Sequence, residues 1–162
     1  RLMADKVIEV GLAPVEEYYG SEVMLHYPGL YAGSTDLICL HNSKETVVDF
    51  KQSNRPKKEE WIEDYYLQIS AYAMAHDYVY GSKIEQGVIM VCTPDLYYQE
   101  FKVEGLQLRK YKHKFLKRLD MYNELIHDEK ERAKVDPSTL LKEFERDTQN
   151  DPFKGTNMEG KD

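Results

Sequence analysis

The chain has 162 residues, of which 41% are hydrophobic and 31% are charged, so it is large enough for one well-packed domain and too apolar for a disordered protein. Its formal net charge of −7 argues against a generic nucleic-acid binder, because phosphate binding depends on Lys and Arg. No apolar run approaches the roughly 18 to 20 residues that span a bilayer, and no signal peptide opens the sequence, so we expect no membrane partner.

The first half of the chain predicts a helix followed by a meander of strands. Apolar residues have helical spacing near the N-terminus, and Gly11 and Pro14 interrupt the pattern, so we expect the helix to end there. Residues 22–27, 31–40 and 46–52 have the composition of strands and are separated by turn residues. Such short connections favour antiparallel pairing.

The second half predicts alternating helices and strands. In chain order, the predicted elements are a helix over 58–80, strands over 86–93 and 97–103, and helices over 106–127 and 138–146. The strand over 86–93 is almost wholly apolar, as in a strand covered on both faces, and the long helix before it permits parallel pairing with the meander. We therefore predict an α/β fold with a mixed, mainly antiparallel sheet flanked by helices. It would form a single domain over residues 1–150, with a flexible tail over 151–162.

Basic residues form two clusters despite the negative net charge. Between Lys102 and Arg118 seven basic residues stand against one acid, Glu104, and a second cluster lies between Lys51 and Lys58. The clusters soften the objection to a nucleic-acid partner, although for either cluster alone a solvated helix face is the better interpretation.

The two cysteines, Cys39 and Cys92, lie in apolar runs typical of strands. We interpret both as buried thiols rather than as a disulfide or metal ligands. This predicts a reducing compartment and a cytoplasmic location.

Three charged residues interrupt the strands of the meander, namely Asp36, Asp49 and Lys51. Asp and Lys are poor strand formers and are costly to bury unpaired. A divalent ion, Mg²⁺ or Mn²⁺, would neutralise the carboxylates and leave the ammonium free to act on an anionic substrate. Residues two apart in a strand share a face, so we expect Asp49 and Lys51 on one side and the Phe50 side chain in the core on the other. The backbone carbonyl of Phe50 is a candidate further metal ligand.

Simpler interpretations exist for these residues. Asp36 alone is typical of a turn or an edge strand, and Asp49 with Lys51 is compatible with an ion pair on a solvated sheet. The apolar residues around all three leave little room for a solvent-exposed strand, which favours the metal site.

In order along the chain, Asp36, the triplet Asp49-Phe50-Lys51, and Gln68 with Tyr72 resemble the motifs of the PD-(D/E)xK nuclease superfamily. The spacing of Gln68 and Tyr72 is similar to the QxxxY signature of its RecB-like exonuclease branch. The segments around these motifs look most like phage exonucleases related to the mitochondrial genome maintenance exonuclease.

The resemblance implies a restriction-endonuclease-like core and a role for each matched residue. Asp36 and Asp49 would be metal ligands, and Lys51 would be the catalytic lysine. Gln68 would hold the water at the metal or a substrate phosphate, and Tyr72 would contact DNA or brace the site. A phage origin would place the protein in the cytoplasm of a bacterial host, in preference to a mitochondrion.

The chain departs from the RecB-like pattern in two respects. Members usually carry an upstream helix with a His or Glu near the metal, whereas this sequence opens at Arg1 without an initiator Met, which leaves a truncated N-terminal helix as one interpretation. Of the acids Glu16, Glu17 and Glu22, we favour Glu22 as a replacement ligand because it opens a strand next to that of Asp36. Iron–sulfur members use four Cys ligands, and with two cysteines we expect no cluster.

The sequence thus predicts a Mg²⁺- or Mn²⁺-dependent DNA exonuclease that acts on single strands or duplex ends. The 13 Tyr residues are compatible with stacking on unpaired bases. Two alternatives stay open: a non-catalytic DNA-binding or assembly module on a nuclease fold, and a structure-selective endonuclease. Nothing in the sequence indicates the oligomeric state.

Overall fold

The computed structural model describes the backbone of residues 1–133 and the side chains of residues 1–128. The chain divides into two compact units, Arg1–Leu119 and Asp120–Asp162. All five strands belong to the first unit, and the described part of the second unit is the end of the last helix. The helix predicted over 138–146 and the tail predicted over 151–162 lie outside the described residues.

The first unit is built on one mixed sheet. Its strands are β1 (Val15–Tyr27), β2 (Tyr31–His41), β3 (Lys44–Gln52), β4 (Gln86–Cys92) and β5 (Tyr98–Glu104), and they lie side by side in chain order. β3 and β4 are parallel, and every other neighbouring pair is antiparallel. The α/β class, the antiparallel meander and the parallel pairing across the long helix are confirmed.

The helices occupy the positions that the periodicity predicts, with different ends. Helix α1 (Leu2–Lys6) continues into one π-helical turn, Val7–Gly11, so the predicted end at Gly11 is confirmed. Helix α2 spans Glu63–Tyr80 and follows a short 3₁₀ turn. Gly81 terminates α2 with a φ of 63° and donates its N–H to the Asp77 carbonyl, a geometry that glycine adopts at little cost. Helix α3 spans Gly105–Ala133.

Each face of the sheet carries its own apolar cluster. On one face, Val47, Ile89 and Val103 of the sheet pack against Tyr66 and Ile69 of α2. On the opposite face a second cluster, packed against the N-terminal helical segment, contains Leu37, Cys39, Val48, Val88 and Met90. All seven residues of β4 are buried because the strand is covered on both faces, as its composition predicts.

Three predicted boundaries were wrong. β1 begins at Val15 rather than residue 22 because its first half, at the edge of the sheet, is largely solvent-exposed and lacks the alternation that marks a half-buried strand. α2 begins at Glu63 rather than residue 58, since the 3₁₀ turn Glu59–Trp61 takes up the intervening chain. α3 extends beyond residue 127 to Ala133.

Among the helices of the described residues, none combines the length and apolar character that a membrane crossing requires.

Candidate active site

The site begins where strands β2 and β3 part. Their registered pairing ends at Leu37 opposite Val48, although both strands continue beyond this point. Two side chains of β2 form hydrogen bonds with backbone groups of β3. Asp36 Oδ2 accepts a hydrogen bond from the Phe50 N–H at 2.6 Å, and Thr35 Oγ1 donates to the Val48 carbonyl at 3.2 Å. The parting of the strands leaves the Phe50 N–H without a β2 backbone partner in the registered pairing, and the Asp36 carboxylate accepts it, which holds this carboxylate against β3.

Asp49 and Lys51 lie together on β3, on the face that packs against α2. The Asp49 side chain is buried, with only 6% of the residue exposed. Lys51 Nζ lies 2.8 Å from Asp49 Oδ2, close enough for an ion pair. Beyond this ion pair, Oδ2 has no hydrogen-bond donor within the described part of the chain. A carboxylate oxygen can accept more than one hydrogen bond, so a buried oxygen with a single ammonium partner keeps capacity for a further ligand.

Helix α2 completes a continuous polar chain. Lys51 Nζ donates to Gln68 Oε1 at 3.1 Å, and Gln68 Nε2 donates to the Tyr72 hydroxyl at 2.8 Å. The amide orientation is fixed by its neighbours, since a lysine ammonium can only donate and must meet the amide oxygen. The four-residue spacing places Gln68 and Tyr72 on one face of α2, one turn apart. The structure thus brings together the five residues that the sequence predicts as catalytic: Asp36, Asp49, Lys51, Gln68 and Tyr72.

Gly33, which the sequence prediction missed as a site residue, allows this approach of helix to sheet. A Cβ atom at Gly33 would lie 2.8 Å from Cε1 of Tyr72, closer than real contacts allow. At the residue before Tyr72, the Ala71 carbonyl accepts a hydrogen bond from the Tyr31 hydroxyl at 2.9 Å, which ties the same strand to α2. The available signal was the glycine inside a strand, which often marks a close approach of another element.

Burial and the neighbouring charges shift the ionisation of the central pair. Burial raises the pKa of the Asp49 carboxyl to about 6; Lys51 acts to lower this pKa, and the Asp36 charge raises it further. Burial alone would lower the pKa of Lys51, but Asp49 and Asp36 outweigh it and the net pKa is raised. Lys51 is therefore positively charged at neutral pH, and Asp49 is poised to exchange its proton slightly below neutrality.

Two predictions about Phe50 have different outcomes. The side chain does point away from the face of Asp49, but it is 37% exposed rather than in the core, so that prediction was wrong. The N-terminal segment covers this face only in part, leaving an apolar cavity lined by Val7, Leu12 and Phe50. The Phe50 carbonyl stays a predicted ligand; the Phe50 N–H donates to Asp36.

Glu22, the favoured replacement ligand, stays a prediction: it lies on β1 between the registered pairs Ser21–Leu37 and Val23–Thr35, which places it across from Asp36. In the described residues no three His, Cys, Asp or Glu side chains are arranged to hold a metal ion together. Glu22 is exposed on the edge strand and has a φ of 50°, a left-handed conformation that interrupts the alternation of side chains expected there. Glu16 is engaged elsewhere, where it accepts a hydrogen bond from the Ser43 N–H.

The donor set nonetheless suits a hard divalent cation. Mg²⁺ is commonly held by one or two carboxylates, with waters and substrate phosphates in its other positions. Asp36 and Asp49 provide two neighbouring carboxylates, and apart from Lys51 no donor of the described residues occupies Asp49 Oδ2. The residues present therefore fit a Mg²⁺ or Mn²⁺ ion.

The basic residues around α3 are largely engaged within the protein. Four of the seven in the cluster between Lys102 and Arg118 lie in ion pairs: Lys102 with Glu100, Lys112 with Asp77, Lys114 with Glu63, and Arg118 with Asp64. This supports the simpler interpretation of the cluster as a solvated face. The second cluster lies nearer the site, in the segment that joins β3 to α2.

No family model and no curated protein matches the chain. Three solved structures that match it are protein SSO0001, a protein of Eubacterium rectale assigned as an exonuclease, and the alkaline exonuclease of Laribacter hongkongensis. Their sequence identities are 20%, 15% and 13%, with TM-scores of 0.41, 0.49 and 0.37. The matches cover 75%, 74% and 80% of this chain and 56%, 50% and 69% of the other chains. A second structure of the Laribacter enzyme, in complex with dAMP, also matches the chain. The chain thus spans about half the length of the first two structures.

Proposed function

We propose that this protein is a divalent-metal-dependent DNA exonuclease of the RecB-like kind, and that it is phage-encoded. The observation that carries the proposal is the buried Asp49 carboxylate, whose Oδ2 is contacted in the described residues by the Lys51 ammonium and by no other hydrogen-bond donor, with the Asp36 carboxylate beside it. A structural ion pair does not need a second carboxylate that repels the first, whereas a divalent metal ion is commonly held by two.

Asp36 and Asp49 would hold Mg²⁺ or Mn²⁺. When bound, such an ion supplies charge neutralisation at the phosphate and lowers the pKa of water for attack on the phosphodiester. Asp36 can keep its hydrogen bond with the Phe50 N–H through Oδ2 and offer its other oxygen to the ion. The Phe50 carbonyl is a further candidate ligand.

Lys51 would stabilise negative charge on the phosphate. Its raised pKa keeps the ammonium charged at neutral pH, so it donates hydrogen bonds rather than accepting a proton. Asp49 and Gln68 hold the ammonium from two sides, which fixes its position before substrate binds. Donors that need no rearrangement during the reaction are the most effective stabilisers of developing charge.

Gln68 and Tyr72 would position Lys51. The Tyr72 hydroxyl fixes the orientation of the Gln68 amide. The amide nitrogen donates to this hydroxyl, so the amide oxygen is directed at the Lys51 ammonium. Burial raises the pKa of Tyr72, so its hydroxyl keeps its proton throughout the working pH range. That hydroxyl can donate to a substrate phosphate while it accepts from Gln68.

The proposal is tested with oligonucleotides labelled at the 5′ or the 3′ end, incubated with Mn²⁺. We expect stepwise release of mononucleotides from one end by the native protein, and no cleavage by Asp49→Asn. Asp64→Asn is the matched control, because Asp64 is an exposed acid paired with Arg118 on the surface. Internal cuts would show an endonuclease instead. DNA binding without Mn²⁺ binding in calorimetry, and without cleavage, would show a non-catalytic module.

A further inference from the structure

The segment over residues 53–62, between β3 and α2, carries an exposed tryptophan beside the candidate active site. We refer to it as the connector. Trp61 is the single tryptophan of the sequence, and 61% of its surface is exposed. Large aromatic residues dominate core packing, so an indole that is mostly in solvent is informative.

Hydrogen bonds along the connector hold its backbone in place. The Gln99 side chain of β5 clamps Lys57 from both directions: its Oε1 accepts from the Lys57 N–H at 2.7 Å, and its Nε2 donates to the Lys57 carbonyl at 2.9 Å. The Ser53 N–H donates to the Cys92 carbonyl at 3.2 Å, and the Trp61 N–H donates to the Lys58 carbonyl at 2.9 Å. The exposure of Trp61 is therefore a property of a fixed backbone.

The connector joins two elements of the site and lies next to its lysine. It leaves β3 directly after Lys51 and Gln52, and it ends at the buried Ile62 that opens α2. Tyr65, four residues after Trp61, places its ring centroid 5.1 Å from Lys51 Nζ. Four residues along the chain, across the non-helical Ile62, thus separate the exposed indole from the aromatic ring that contacts the lysine.

Cations accompany the indole. Lys58 Nζ lies 5.0 Å from the centroid of the Trp61 ring and 3.9 Å from Glu60, an exposed and loose ion pair. Arg55 is exposed on the same connector. The indole thus has one cation against its ring and a second on the same connector. Exposed aromatic rings with nearby cations are what proteins use to bind single-stranded nucleic acid, since bases stack on the ring while cations follow the phosphates.

We propose that Trp61 is a stacking platform for an unpaired base of a DNA strand whose adjacent phosphate enters the site, with Lys58 and Arg55 contacting the flanking phosphates. This rests on the proposed function and narrows it to single-stranded ends. Bases inside a duplex have both faces covered by their neighbours, so an indole selects a strand that is unpaired. Because every base has a π face, the platform is tolerant of sequence.

The single tryptophan makes the platform directly measurable. Intrinsic fluorescence of the full chain is titrated with an oligothymidylate of about ten nucleotides, in EDTA so that no cleavage occurs. We expect saturable quenching by the oligothymidylate and little quenching by an abasic strand of equal length, which carries the same phosphates without bases. Equal quenching by both strands would overturn the proposal, since the response would then report phosphates alone.

Variants separate stacking from charge, with binding measured by the anisotropy of a labelled oligothymidylate. We expect Trp61→Ala to raise Kd by about 5- to 150-fold and Trp61→Phe to retain most of the affinity. Tyr80→Ala is the matched control, because this tyrosine is 59% exposed at the far end of α2. It lies about 27 Å from the start of that helix along its axis and should leave Kd unchanged. Native affinity in Trp61→Ala would refute the platform.

Cleavage assays distinguish this proposal from the one on which it rests. We expect Trp61→Ala to raise KM on a single-stranded substrate and to leave kcat nearly unchanged. If native cleavage of single strands persisted in Trp61→Ala while Asp49→Asn was inactive, the platform would be wrong and the nuclease assignment would stand. If no variant or native protein cleaved DNA but stacking was measured, the nuclease assignment would fail and the platform would stand.

Discussion

The two ends of strand β3 differ in how their polar residues are stabilised. We refer to the start of β3, with His41, Thr46 and Gln86, as the neutral end, and to Asp49 and Lys51 as the charged end. At its start, Lys44 forms an exposed ion pair with Glu104, and the buried polar groups nearby are neutral. Toward its end, the buried Asp49 forms an ion pair with the half-buried Lys51. Each end has one buried side-chain atom without a hydrogen-bond partner in the described residues, His41 Nε2 at the first and, apart from its ion pair with Lys51, Asp49 Oδ2 at the second, so the two ends differ in charge. A fold that served only its own stability would not need the buried carboxylate, so the second end indicates a functional role.

The neutral end is organised around the buried Gln86. Its Nε2 lies 3.2 Å from Thr46 Oγ1 and 3.3 Å from His41 Nδ1. Burial lowers the pKa of His41, which favours the neutral ring. Hydrogen bonds between neutral groups avoid the desolvation cost of a buried charge, and that cost is the difference between the two ends.

Substituting the two lysines of β3 should produce the largest contrast. We expect Lys51→Met to lower kcat/KM by about 10²- to 10³-fold, because it removes a fixed donor at the developing phosphate charge. Lys44→Met, at the solvent-exposed end of the same strand, should leave kcat/KM unchanged, since exposed ion pairs contribute little. Initial rates on a 5′-labelled single strand with Mn²⁺ measure both. Equal losses would mean that Lys51 has no special role.

In contrast to the catalytic rate, the free energy of unfolding should depend on Gln86 at the neutral end. We expect Gln86→Leu to lower the free energy of unfolding by about 1–3 kcal/mol, because it leaves polar atoms of His41 and Thr46 without a buried donor. Urea unfolding followed by circular dichroism measures this, and Gln107→Leu on the exposed surface of α3 is the control. Cleavage per folded molecule should be native in both variants. A selective loss of kcat in Gln86→Leu would show that the neutral end takes part in catalysis.

The sequence predicted the charged end of β3 far better than the neutral end. Asp36, Asp49 and Lys51 stand out because charged residues interrupt apolar strands, and Gln68 with Tyr72 follows the helical spacing. Gln86 carries no comparable signal, since a polar residue at the start of a strand is ordinary. Its burial depends on tertiary packing rather than on a local pattern.

Other features escaped the sequence because they depend on pairs distant along the chain. The parting of β2 from β3, which places Asp36, depends on registration that neither strand encodes alone. The ion pairs of α3 depend on which acids α2 presents to it. The left-handed conformation of Glu22 is a local irregularity of the kind that strand periodicity does not report.

Acidification should weaken metal binding at the charged end. The Asp49 carboxyl has a pKa raised to about 6, so below that pH protons compete with the ion for the carboxylate. We expect the association constant for Mn²⁺, measured by calorimetry, to fall by about tenfold for each pH unit below 6. An association constant that stayed level between pH 7.5 and pH 5 would contradict Asp49 as a ligand.

The same pKa predicts an opposite effect on the metal-free fold. A carboxyl whose folded-state pKa exceeds its unfolded value stabilises the fold at low pH, and this contribution is lost as pH rises through about 6. Thermal melts in EDTA should therefore show the native Tm decreasing relative to that of Asp49→Asn between pH 4.5 and pH 7.5. A constant difference between the two proteins would show that burial does not penalise the Asp49 charge.

The smallest expected effect is that of Gly33→Ala, which tests how closely α2 must approach Asp49 and Lys51. In Gly33→Ala the added methyl would meet the Tyr72 ring, so the ring must shift and disturb the hydrogen bonds that orient Gln68 and Lys51. We expect kcat to fall by a few-fold, up to about tenfold, since small displacements of catalytic groups are expensive. Ser34→Ala, at the exposed neighbouring position, should be neutral. In a Tyr72→Leu background the Gly33→Ala change should cost nothing further, because the clashing ring is absent. Additive losses in the double variant would mean that Gly33 acts through β2 itself and not through the Gln68–Lys51 chain.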